Sequence, residues 1–137
     1  MSTRAQRTRR VLALQQQLHR VAHWKLLDLQ RRVAELDSQR GELIAALNDS
    51  DALQGLFLDA TARRLMSIAR EADEIAREQP LQAARVGEHA VRVACAERLA
   101  ETVAGQAARA EEKQALREVI DRLVGAATPA SRKIAPP

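Results

Sequence analysis

The sequence predicts an all-α fold, a long antiparallel two-helix coiled-coil hairpin. Three observations carry that expectation. Between Arg4 and Val124 almost every residue suits a helix, with Ala, Leu, Arg, Glu and Gln dominating. Only two features interrupt the pattern, the polar run Asn48-Asp49-Ser50-Asp51 and the single Pro80. The aromatic content is one Trp and one Phe with no Tyr, too little ring volume for a spherical core but enough for a narrow seam between two helices.

In the first arm, apolar residues recur at Val11, Leu14, Leu18, Ala22, Leu26, Leu29, Val33, Leu36, Leu43 and Leu47. Arg40 takes the one missing place, where its aliphatic stem can cover the seam. The steps are threes and fours, with a run of fours from Leu14 to Leu26 that reads as a stutter and predicts local unwinding of a left-handed supercoil. The turn follows at about 48–55, with Ser50 and Asp51 as candidate caps of the second helix.

The stripe resumes at Phe57, Thr61, Leu65, Ile68, Ala72 and Ile75. Pro80 has no Gly, Asn, Asp or Ser within four residues, so a kink or short break in one continuing direction is expected there, not a second reversal. Beyond it the stripe is richer in Ala, through Val86, Ala90, Val93, Leu99, Val103, Ala107, Ala110, Leu116, Ile120 and Leu123. Gly125 is expected to end the helix. The chain thus reads as one hairpin domain over residues 1–124 and a flexible tail over 125–137. The second arm is longer than the first, so part of its apolar stripe is expected to project in search of a partner.

Charge supports antiparallel pairing. Residues 1–47 carry nine Arg/Lys against four Asp/Glu, whereas residues 48–78 carry four against seven, so the first arm and the start of the second have opposite signs. Cys95 is the only cysteine, which excludes an internal disulfide and suggests a reducing, cytoplasmic setting. The basic start, MSTRAQRTRR, leads into an amphipathic pattern and not an apolar run, so neither a secretory signal nor a membrane span is expected.

The chemistry-bearing residues are few. His19 and His23 share one helix face at the spacing of a metal pair, but no acid or cysteine beside them completes a ligand set, so no metal and no cofactor is expected. No nucleophile elbow, phosphate-cradling glycine loop or pocketed carboxylate pair is visible, and the chain reads as non-enzymatic. Arg4, Arg7, Arg9 and Arg10 could meet phosphates, yet the interleaved aromatic and amide side chains that read or stack bases are scarce. A nucleic-acid role therefore ranks behind contact with an acidic protein. Trp24 adjoins the seam at Leu26 and reads as packing, and Phe57 either staples the turn or anchors a partner.

The order of parts resembles the FliJ family, small cytoplasmic components of flagellar type III export with counterparts in virulence secretion. The resembling stretches are RTRRVLALQQQLHRVAHWKLLDLQRRVAELDSQRGELIAAL in the first arm, then FLDATARRLMSIAREADEI and ARAEEKQALREVIDRL in the second. The resemblance implies an antiparallel coiled coil, similar to the stalk of rotary ATP synthases, that binds the export ATPase, the export gate and export chaperones. It also implies a gate contact early in the second helix, at Thr61, Leu65, Ile68 and Ala72. Leu65 matches the family's pattern there, whereas Thr61 replaces an aromatic, Ile68 a small residue and Ala72 a histidine; Phe57, one turn earlier, can stand in for Thr61. Pro80 departs from the family's uninterrupted second helix. The implied function is a non-enzymatic stalk or adaptor with only an indirect relation to the membrane. The alternative is a cytoplasmic coiled-coil scaffold or chaperone unrelated to export, open to self-association.

Overall fold

The computed structural model describes residues 3–49 and 55–134, with side chains described over 3–49 and 57–127. All described residues are helical, in α1 (Thr3–Asp49) and α2 (Gly55–Ile134). The all-α hairpin expected from the sequence is therefore present. The turn expected at about 48–55, with Ser50 and Asp51 as caps, lies largely outside the described residues, although α1 already includes Asn48 and Asp49. At the other end α2 runs through Gly125 to Ile134 and does not stop at the glycine.

The chain packs as two compact units, one of residues 14–93 and one of residues 1–13 with 94–137. In the first unit the two helices run antiparallel. Gln39 meets Arg64, Arg32 meets Glu71, and Ala22 meets Gln82, so partners move apart in sequence as the pair leaves the turn. The buried and half-buried positions on α1 include Gln15, His19, Ala22, Leu26, Leu29, Val33, Leu36, Leu43 and Leu47; on α2 they include Thr61, Leu65, Ile68, Ala72, Ile75, Gln79, Gln82, Val86, His89 and Val93. On α2 these alternate steps of four and three without a slip, the repeat that keeps a seam facing its partner in a left-handed supercoil. Leu36, Ile68 and Ile75 form the tightest cluster, backed by Leu29, Val33, Leu43 and Ala72.

Two expectations are corrected here. The line from Leu14 through Leu18 to Ala22 is not the seam. Leu14 and Leu18 are exposed, the half-buried places go to Gln15 and His19, and the heptad continues with no stutter. A helix is rigid in phase, and the apolar cluster around Leu36 sets that phase; swinging Leu14 and Leu18 inward would require unwinding that the backbone does not undergo. Arg40 is exposed, and its neighbour Gln39 takes the half-buried place, accepting a 2.9 Å hydrogen bond from the Arg64 guanidinium.

Pro80 interrupts nothing in the helical assignment, and the chain does not reverse there. The proline removes one amide donor, which frees the carbonyl of Ala76. Both residues sit on the exposed side of α2, where a freed carbonyl can be hydrated at little cost. Gln82, two residues on, then holds the hairpin together. Its buried Nε2 donates to the Ala22 carbonyl at 2.8 Å.

The second unit buries mostly small residues, with Leu12 half-buried as its one large aliphatic among the described positions. Ala5 on α1 and Ala96 and Val103 on α2 are buried, with Thr8, Ala100 and Ala107 half-buried. From Ala108 to Ala127 every position of α2 is exposed. The expected seam residues Leu99, Ala110, Leu116, Ile120 and Leu123 therefore stand in solvent, as does Val11 on α1.

Candidate partner-docking site

The five residues expected to meet a partner divide sharply. Thr61 is 5% exposed and Ile68 only 2%, and both face α1. Thr61 is tolerated in the seam because its Oγ1 donates to the Phe57 carbonyl one turn back, at 2.8 Å, which satisfies a hydroxyl that burial would otherwise penalise. Ile68 belongs to the core cluster, and Ala72 packs against it. Leu65 is half-buried, whereas Phe57 is exposed at 44%. The heptad turns Thr61, Ile68 and Ala72 onto α1, so their apolar surface is used within the hairpin.

What remains accessible lies beside that stripe. An open groove of about 380 Å³ runs along one flank of the hairpin over Leu36, Leu65, Ile68 and Ala72, with Ile44 on its α1 wall and Met66 and Ala69 on its α2 wall. Met66 is 60% exposed, and Ile44 is also exposed. Met is flexible and polarizable, so it adapts to a partner's surface at small strain. Arg40 and Asp37 give the groove a polar α1 rim. Met66 was missed in the sequence because it falls one residue off the apolar line; its signal was an apolar residue directly after a seam position.

The opposite flank is charged midway along the 14–93 unit. The Arg32 guanidinium donates to Glu71 across the seam through Nε at 2.8 Å, and to Glu35 on its own helix at 3.1 Å. These hydrogen bonds, that to Glu71 first, push Arg32 further above the usual arginine range. The sign follows from the direction. Whatever the raised group adds to stability is complete below the ordinary arginine value and lost only as pH rises past the raised one, so this pair is insensitive to pH around neutrality. Asp28, Glu35, Glu71, Glu74 and Glu78 line one shallow concavity there, with Arg31 and Arg32.

His19 and His23 stack, with ring centroids 6.3 Å apart and planes 14° from parallel. Among the described residues no group of three His, Cys, Asp or Glu is placed to hold a metal ion, and no helix is long and apolar enough to cross a membrane. Trp24, read as packing, is 70% exposed instead. It lies outside the buried line because the seam passes through Ala22 and Leu26. Comparison of the chain with protein-family models, with curated proteins and with solved structures gave no match.

Proposed function

We propose that the chain is a non-enzymatic adaptor of flagellar or related type III export, a helical hairpin that links the export ATPase to the export gate and to export chaperones. The observation that carries this reading is the groove over Leu65 and Met66, an accessible, largely apolar surface early in the second helix, where the resembled family makes its gate contact. Leu65, the position that matches the family's pattern, forms part of its floor. The burial of Thr61 and Ile68, with Ala72 packed against the same core, moves the proposed contact one flank round the helix, onto Ile44, Met66 and the accessible side of Leu65. In this reading the chain acts by holding partners in register. A stiff heptad seam gives a hairpin that transmits a displacement without collapsing, which suits a coupling element between a ring and a membrane-embedded gate.

The test is capture of the gate's cytoplasmic domain and of the export ATPase by the purified full chain. Saturable binding of either, weakened by Met66→Ser with an unchanged melt, supports the adaptor reading. Binding of neither overturns it in favour of a coiled-coil scaffold outside export, a reading to which the exposed Leu116, Ile120 and Leu123 lend support as an assembly surface.

A further inference from the structure

A two-stranded seam needs one narrow apolar line per helix, and a helix in a three-helix arrangement needs a broader one. In the 14–93 unit α1 carries the broader face. Beside its seam residues, Leu14, Leu18 and Val21 form a second exposed line at steps of four and three. Leu18 and Val21 wall a groove of about 170 Å³ whose other lining is Ala22, Lys25, Gln82, Arg85 and His89, with no acidic residue. The adjoining groove shares Lys25, Gln82 and Arg85 and adds the exposed Leu81, with Asp28 and Glu78 also in its lining. This flank therefore offers apolar walls on both helices with a pair of cations between them.

We infer that this flank is a docking site for a third helix, an acidic amphipathic helix of another protein. Its apolar stripe would lie on Leu14, Leu18, Val21 and Leu81, and its carboxylates would reach Lys25 and Arg85. Charge selects that occupant. Within this unit, residues 14–27 of α1 contain Arg20 and Lys25 and no Asp or Glu, so the surroundings of the site attract an acidic ligand. A flat anionic membrane fits less well, because Asp28, Glu35, Glu71, Glu74 and Glu78 crowd the same flank immediately beyond Lys25 and would be pressed against the lipid charge. A second copy of the chain also fits less well. Its exposed apolar helix, residues 108–124, carries four Arg/Lys and four Asp/Glu and so brings no net complement. The inference does not depend on the export reading, since an acidic helix can come from any partner.

The test uses the full chain and designed helical peptides of about three heptads that share one leucine stripe and differ only in flanking Glu or Lys. The Glu peptide is expected to bind about tenfold or more tightly than the Lys peptide, and more weakly as salt rises. Leu18→Ser with Val21→Ser should abolish binding with little change in melting temperature, because both side chains are already exposed. Lys25→Glu with Arg85→Glu should reverse the preference, so that the Lys peptide now binds better, a result that loss of folding cannot mimic. Equal binding of the two peptides, or binding of neither, overturns the proposal. So does a dimer of the chain that Leu18→Ser dissolves, or association with phosphatidylserine vesicles that Leu18→Ser removes, since each names a different occupant.

Discussion

The smallest decisions in this protein concern polar residues on an apolar line. Gln82 shows a polar residue that fits, because its amide donates across the seam to the Ala22 carbonyl. Gln15 and His89 show the opposite. Gln15 Oε1 and His89 Nδ1 are buried with no hydrogen-bond partner, and the register that sets Ala22 against Gln82 places Gln15 opposite His89. A buried polar atom left unsatisfied costs about 1–3 kcal/mol, so replacing both residues by Leu should raise stability by an amount of that order, read as a higher urea midpoint. Gln82→Ala should lower stability by about 1 kcal/mol in the same urea titration. Gly41 and Gly87 are helical, and a Cβ built on either meets nothing within 4 Å. Each Gly→Ala change should therefore add about 0.5–1 kcal/mol, read as a rise in the denaturant midpoint with an unchanged slope. A loss at either glycine would show a packing requirement that the structure does not contain.

At the scale of the helices, the sequence was most informative where apolar residues and the heptad agreed. The positions from Leu26 to Leu36 and from Leu65 to Ile75 were legible because large side chains occupy successive seam places, and no other line competes with them. The first half of α1 misled because Val11, Leu14 and Leu18 are apolar while Gln15 and His19 are not, and local hydrophobicity points to the wrong line. Helix phase is set by the strongest cluster and carried along a stiff backbone, so a weak segment inherits its seam from a strong one. The same argument explains α2 beyond Ala107, where the line continues into Gln114, Arg117 and Asp121 and the apolar residues Leu116 and Ile120 fall off it. Truncation should expose the difference. Leu36→Ala removes a side chain 1% exposed and should cost about 2–5 kcal/mol, whereas Leu116→Ala should change stability by less than about 0.5 kcal/mol. Comparable losses at both positions would mean that the distal stripe is covered in solution.

For the molecule as a whole, the residues at which the resemblance implies a gate contact divide between the seam with α1 and an open flank of α2. Thr61, Ile68 and Ala72 were legible as an apolar stripe, and a stripe alone does not say whether it meets another helix of the same chain or a different protein. Only the pairing with α1 separates the two, and it leaves Ile44, Phe57, Leu58, Leu65 and Met66 among the apolar surface that a partner can reach. The account thus rests on a division of labour on α2, with Ile68 holding the hairpin and Met66 one flank away offering contact. The most direct measurement is a thermal melt of Ile68→Ala and of Met66→Ser, each beside capture of the export gate's cytoplasmic domain by the full chain. The account predicts that Ile68→Ala loses about 2–5 kcal/mol of stability, while Met66→Ser melts as the parent does and loses capture. Parental stability in Ile68→Ala, or undiminished capture by Met66→Ser, would contradict it.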